Sequence, residues 1–217
     1  MQEYFIEDPL KLSLYQDLIS KAQNVVITTH QNPDGDAFGS SLGLYSYLKT
    51  FGFKNLNVIS PTDYADFLGW MPNVDQVVVY EYKQKTHAQN LLKTADIVFC
   101  LDFSATSRVK DMKTDLENSP AKKIIIDHHE QPESFGDLMY WNAHASSTCE
   151  LVYQFIDALG HKDRLDFNAA QCIYTGLLTD TGSFRFDSTT SEVHRIVSEL
   201  ILKKVNPNTI YRNLFDN

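Results

Sequence analysis

Short apolar runs rich in β-branched residues recur along the chain, at Val25–Thr29, Leu56–Ser60, Val77–Tyr80, Ile97–Leu101 and Ile124–Ile126. Amphipathic segments of helical period lie between them: Leu12–Ala22, Ser40–Phe51 and Thr86–Thr94, the second carrying Leu44, Leu48 and Phe51 along one side. A strand that recurs after each helical segment returns to the sheet in the same direction, so this alternation predicts an α/β fold with a mostly parallel β-sheet flanked by helices. After Trp141 the pattern turns helical: Ser147–Leu159 stops at Gly160, Asn168–Leu178 runs toward Asp180, Ser191–Lys203 follows a Ser-Thr-Thr capping cluster, and Pro207–Leu214 starts on a proline suited to a first turn.

Composition narrows the setting. A chain of 217 residues with 43% apolar content can bury a large core as one generous domain with an appended helical piece. No stretch approaches the roughly 20 apolar residues of a membrane span, and Met1–Leu10 has neither the basic start nor the apolar core of a signal peptide, so a cytoplasmic location without a membrane partner is expected. Cys100, Cys149 and Cys172 sit among apolar neighbours without CxxC spacing and read as buried thiols. A formal charge of −9 argues against binding duplex nucleic acid, which requires a basic surface, while short nucleotides stay compatible.

The chemistry gathers where strands end. His30-Gln-Asn-Pro-Asp34-Gly-Asp36 follows the first strand, and Pro33 and Gly35 force a tight loop in which an imidazole and two carboxylates can converge. Ile97–Leu101 runs into Asp102, and Ile124–Ile126 runs into Asp127-His128-His129. A single aspartate in such a place is most often a helix cap or turn residue, and a lone histidine pair is most often a surface feature. Ligands of open α/β sheets bind beyond the carboxyl ends of the strands, however, so ionisable groups at three such ends should share one crevice. Asp180, at the end of a helical apolar run, is unfavourable to the helix dipole unless a cation relieves it.

His30-x-x-Pro-Asp34-x-Asp36-x-x-Gly-Ser, Asp102, Asp127-His128-His129 and Asp180 match in order the four motifs of the DHH phosphoesterase superfamily, which the chain resembles over roughly residues 20 to 190. The wording around them, including Leu-Thr-Asp-Thr-Gly-Ser-Phe-Arg, most resembles the RecJ-like NrnA group of nano-RNases and pAp phosphatases. This resemblance implies a Rossmann-like catalytic domain over residues 1–190, and a helical extension, 191–217, leading to a C-terminal substrate-binding domain that the sequence does not contain. It implies that His30 and Asp34 hold one metal, that Asp36, His128 and Asp180 hold a second, and that Asp102 bridges them. Asp127 then supports the histidines from behind, His129 faces substrate or water as a catalytic group beside Asp102, and Arg185 contacts phosphate. Ser146, Ser147 and Thr148, which open a helix, offer hydroxyl or N–H groups to the substrate or simply cap that helix.

Two divalent cations are therefore expected. Mixed carboxylate and imidazole ligands favour manganese, with magnesium, cobalt or iron as alternatives. The implied reaction is hydrolysis of short oligoribonucleotides or nucleoside 3′,5′-bisphosphate by a hydroxide held between the ions. A pyrophosphatase, exopolyphosphatase or cyclic-dinucleotide phosphodiesterase of the same superfamily is the alternative, and a noncatalytic metal- or nucleotide-binding module is the reading from another class. Homodimerisation stays open.

Overall fold

A computed structural model describes residues 9–81 and 84–216; of the segment Met1–Leu10 considered above, residues 1–8 lie outside the described residues. Six strands form one sheet: β1 (Asn24–Thr28), β2 (Asn55–Ser60), β3 (Val77–Val79), β4 (Ile97–Leu101), β5 (Lys122–Asp127) and β6 (Leu138–Trp141). Their order is β3-β2-β1-β4-β5-β6 and every neighbouring pair is parallel, as expected from the alternation of runs. Strand order reverses between β1 and β4, so the chain diverges to either side there and leaves a crevice beyond their carboxyl ends.

Both faces of the sheet are covered, and the strands divide their side chains with period two. Val25 and Ile27 of β1, Ile97, Phe99 and Leu101 of β4, and Ile124 and Ile126 of β5 enter the larger apolar cluster. Val26, Val98, Cys100 and Ile125 enter a smaller one on the opposite face. Beneath that smaller face lie α3 (Lys85–Thr94) and α4 (Lys113–Asn118), which bury Ala88, Leu92 and Leu116. The larger face receives α1 (Pro9–Lys21), α2 (Gly35–Leu48), α5 (Thr148–Ala158), α6 (Phe167–Asp180), α7 (Ser191–Leu202) and α8 (Pro207–Phe215). All three cysteines are buried and unpaired. No helix among the described residues is long and apolar enough to cross a membrane.

Helix α2 is the centre of this layer, and all of its residues are buried. Three of its glycines, Gly35, Gly39 and Gly43, recur every fourth position and form a flat strip against α6. A Cβ added at Gly39 would come 2.7 Å from the Cys172 carbonyl oxygen and 2.9 Å from the Gly176 nitrogen. At Gly43 it would meet Ile173 at 2.9 Å, and at Gly35 the Thr179 side chain at 2.5 Å. Helix α6 answers with a glycine of its own, since a Cβ on Gly176 would fall 2.2 Å from Cys149 Sγ and 2.7 Å from Asp36 Oδ1. At Gly39 and Gly176 the two helices approach at backbone distance, and at Gly35 and Gly43 the glycines leave room for the Thr179 and Ile173 side chains of α6.

Two elements depart from the expectation. Helix α2 starts at Gly35 rather than Ser40, because Asp34 accepts hydrogen bonds from the Asp36 and Ala37 amides, each at 3.0 Å, and caps the helix there. Strand β6 was not foreseen: residues 128–137 carry the chain back without a helix, so the β-helix-β rhythm that marks the other strands is missing. From the contact at Gly39 we expect Gly39→Ala to lose about 1–3 kcal/mol of stability through overpacking. Urea unfolding checks this, and an unchanged midpoint would contradict the close approach of α2 to α6.

Candidate metal centre

The groups singled out in the sequence meet at the carboxyl edge of the sheet. His30 follows β1, Asp34 caps α2, Asp36 lies in its first turn, Asp102 follows β4, Asp127 ends β5 with His128 and His129 next, and Asp180 is the last residue of α6. Ligand atoms of His30, Asp34 and Asp102 lie within 4.8 Å of one another, and so do those of Asp36, His128 and Asp180. Asp102 touches both groups with different oxygens: Oδ2 lies 3.3 Å from His30 Nε2, and Oδ1 lies 3.7 Å from His128 Nε2.

Backbone geometry sets that placement. Asp102 has φ of 64°, in the left-handed region that aspartate tolerates better than most residues, and its amide donates to the Ile126 carbonyl at 3.1 Å. The chain thereby turns sharply off β4 at the sheet's switch point. Asp34 has two tasks, since Oδ1 caps α2 while Oδ2 lies 4.0 Å from His30 Nε2.

The histidines share a tautomer. His30 Nδ1 lies 2.7 Å from the Gln31 carbonyl oxygen and His128 Nδ1 lies 3.3 Å from that of Ala145. His129 Nδ1 lies 2.8 Å from Asp127 Oδ1. Each of these oxygens can only accept, so each Nδ1 carries the hydrogen and each Nε2 presents a lone pair. For His30 and His128 that lone pair points at carboxylates, the shortest approaches being 3.3 Å to Asp102 Oδ2 and 3.3 Å to Asp180 Oδ2. Imidazole lone pairs thus face carboxylate oxygens. Among the described residues, the only opposing donors are the Thr148 hydroxyl and the first amides of α2 and α5, and no lysine or arginine is ion-paired with Asp34, Asp36, Asp102 or Asp180. At the 4.8 Å limit of each group, two like charges repel by about 3–4 kcal/mol at an effective dielectric near 20. Divalent cations between the two sets of donors would satisfy this arrangement, and a set of carboxylate oxygens and imidazole nitrogens fits them. A third grouping, Asp102 with His128 and His129, is a poorer cradle, because the His129 nitrogen nearest Asp102 is already donating to Asp127.

Titration behaviour follows from the same crowding. Burial, then the charges of Asp102 and Asp180, push the Asp36 carboxyl well above the usual range. Burial with Asp102 and Asp34 nearby raises Asp180 to about 7. For Asp102, burial acts upward but the hydrogen bond and charge of His30, with His128 and His129, outweigh it and hold the carboxyl low. Burial lowers His30, yet Asp102 leaves it net above the ordinary imidazole value, and the hydrogen bond that His129 donates to Asp127 raises His129.

Of the remaining candidates, Ser147 and Thr148 turn their side chains to the protein, and Arg185 is exposed. Ser147 is fully buried and caps α5, accepting from the Glu150 amide at 3.0 Å. Thr148 is also fully buried: its amide donates to Asp36 Oδ2 at 2.7 Å and its hydroxyl to Asp102 Oδ1 at 2.9 Å. Both are spent on the protein itself rather than turned toward a substrate. The Ser146 hydroxyl is buried without a partner, while its amide donates to Glu150 Oε2 at 2.7 Å. Asp127 engages His129 alone, and His128 is oriented by the Ala145 carbonyl instead. Arg185 is exposed, its Nε donating to the Gly182 carbonyl at 2.6 Å, after consecutive left-handed residues Gly182, Ser183 and Phe184. One residue escaped notice in the sequence: Arg108 is exposed, its carbonyl accepts from the Gln31 amide at 2.8 Å, and its charge is felt at His129. An isolated arginine in a loop carries no pattern that could have marked it.

A stability signature is expected from these shifts. Asp36, Asp180, His30 and His129 all have folded pKa values above their unfolded ones, so their contribution is full at low pH and is lost as pH rises through the folded values. The metal-free protein should therefore lose stability as pH climbs from the ordinary carboxylate value of 3.8 through about 7, with about 2–4 °C of Tm for each kcal/mol. Asp102, shifted the other way, acts only below that window. Asp180→Asn should flatten the decline, and melting curves across pH in a chelating buffer would expose the idea as wrong if both proteins behaved alike.

Known proteins place this geometry. The model of the DHH family, N-terminal domain, matches residues 24–177. Among curated proteins, the bifunctional oligoribonuclease and PAP phosphatase NrnA of Thermus thermophilus is 35% identical over 192 residues, covering 88% of this chain and 54% of the relative. The protein of the same name from Bacillus subtilis is 28% identical, covering 91% of this chain and 59% of the relative. The chain thus spans little more than half the length of these relatives. The crystal structure of an exopolyphosphatase-related protein from Bacteroides fragilis superimposes with a TM-score of 0.93 at 38% identity, covering 96% of this chain and 61% of that one. With β1, β4, β5 and α6 carrying the four motifs to one edge of a parallel sheet and the family model matching residues 24–177, the chain belongs to the DHH family.

Proposed function

We propose that this chain is the catalytic part of a two-metal phosphoesterase that hydrolyses short oligoribonucleotides and nucleoside 3′,5′-bisphosphate. The observation that carries this reading is the pair of donor sets, His30 with Asp34 and Asp102, and His128 with Asp36 and Asp180, which share Asp102 and have no lysine or arginine ion-paired with their carboxylates among the described residues. His30, Asp34 and Asp102 would hold one divalent cation, and Asp36, His128, Asp180 and Asp102 the other, with manganese the favoured ion. Bound there, the two ions would lower the pKa of water and neutralise charge gathering on a phosphoryl group.

The protein's own residues prepare that chemistry. Fixed Nδ1–H tautomers spare the histidines any reorganisation on binding a cation. His129, kept in its tautomer by Asp127 and half exposed, faces the open side, where it can hold a proton close to the reacting phosphate. Arg108 and Arg185, both exposed, supply positive charge in a chain that is otherwise acidic, suited to phosphate oxygens away from the ions. The choice of nucleotide over inorganic phosphate chains is supported by the two NrnA relatives, whereas likeness to the exopolyphosphatase-related protein of Bacteroides fragilis favours polyphosphate as the rival. The catalytic unit is proposed to lie in residues 1–190, with 191–217 leading toward the further substrate-binding half that relatives of greater length have room for.

Assaying pApA, pAp, pyrophosphate and polyphosphate side by side with manganese tests the reading. Turnover of the first two, abolished by chelator and restored by manganese, is expected. Asp102→Asn, which keeps the left-handed backbone, should lower turnover at least about 100-fold without altering circular dichroism. Full activity in chelator, or in this variant, would defeat the two-metal assignment; turnover of polyphosphate alone would shift the substrate class. Arg108→Gln should raise KM with little change in kcat, since it removes a charge acting on bound and reacting substrate alike.

A further inference from the structure

Thr148 stands at one side of the site only. Its hydroxyl donates to Asp102 Oδ1 at 2.9 Å, the oxygen that lies toward His128, whereas Asp102 Oδ2, toward His30, receives nothing from it. Its amide donates to Asp36 Oδ2 at 2.7 Å, and the next amide, of Cys149, donates to Asp36 Oδ1 at 2.9 Å. The first turn of α5 thus grips both oxygens of Asp36 and the Asp102 oxygen that faces His128, and no residue of α5 grips Asp34, whose oxygens cap α2 and face His30.

This first turn is itself held rigidly. Ser147 caps it, the Ser146 amide donates to Glu150 Oε2, and Gly176 of α6 packs so closely behind Asp36 that an added Cβ would fall 2.7 Å from its Oδ1. Thr148 is fully buried, so its hydroxyl is neither solvated nor free to swap partners.

We propose that Thr148 is a positioning residue that makes the two ion positions inequivalent. Its hydroxyl bonds the Asp102 oxygen that faces Asp36, His128 and Asp180, so its direct effect falls on the donor strength and direction of Oδ1 at that position, while Oδ2 at the His30/Asp34 position receives no bond from it. The proposal rests on the two-ion reading above and adds which ion depends on which hydrogen bond. The backbone bonds to Asp36 survive any substitution at this residue, so the hydroxyl can be tested separately.

Manganese binding without substrate, followed by electron paramagnetic resonance of the free ion, provides the test for wild type, Thr148→Val and Thr148→Ser. Wild type should take up two ions. Thr148→Val keeps the shape but not the hydroxyl, and should weaken one ion about 10–100-fold while the other holds its affinity. Thr148→Ser should restore both. Adding Asp180→Asn to Thr148→Val should bind no worse than Asp180→Asn alone, because both act on the same ion. Should Thr148→Val fail to fold, judged by its metal-free melt, Thr148→Ala against Thr148→Ser asks the same question. Two ions in wild type with an unaltered isotherm in the valine or alanine variant would overturn the role of Thr148 alone. Loss of both ions equally would show a merely structural residue, and fewer than two ions in wild type would bring down the two-ion reading together with this proposal.

Discussion

Everything in the site depends on how closely α2 can lie against α6. Two helices normally keep 8–10 Å between axes because side chains stand between them. Here glycines at every fourth position of α2 face Gly176 and the backbone of α6, and that contact brings Asp36, near the start of one helix, beside Asp180, at the end of the other. Glycine inside a helix costs about 0.5–1 kcal/mol each relative to alanine. The fold accepts that cost at several positions in its most buried helix, and the gain is a juxtaposition of charges that no looser packing could reach.

Once assembled, the crevice is a place of unfavourable electrostatics managed by direction. Helix α5 points its N-terminus, where amides are unsatisfied and the dipole is positive, at Asp36. Helix α6 points its C-terminus at the crevice and thereby worsens the environment of Asp180. Asp36 receives amide donors from a neighbouring helix, and Asp180 has the negative end of its own. Burial, then the charges of Asp102 and Asp34, push the Asp180 carboxyl up to about 7.

The parallel sheet and the meeting of the groups after three of its strands were legible in the sequence because both rest on a rule of position: β-rich runs alternate with helical ones, and ionisable groups follow β1, β4 and β5. Strand β6 was not, since residues 128–137 give no helical interval to mark a crossover. The glycines at 35 and 39 concealed the start of α2, because local propensity speaks against helix where tertiary packing demands it. Ser147 and Thr148 illustrate a different limit. Their composition announces a helix start and a set of hydroxyls, but only the packing of α5 onto Asp36 and Asp102 decides that those groups serve the protein's carboxylates. Arg108 is further from reach still, placed by a single backbone bond to Gln31 across a long stretch of chain.

The left-handed turn at Asp102 has an evolutionary side. Among the twenty residues, glycine reaches that backbone region freely and aspartate and asparagine reach it at modest cost, while a β-branched side chain there is an outlier. A codon at this place is consequently screened twice, first by whether the chain can leave the strand at the right angle and then by whether a carboxylate is delivered. Neutral drift has almost no room to wander, and lineages that abandon the chemistry should still carry the shape of its former occupant in an asparagine or glycine.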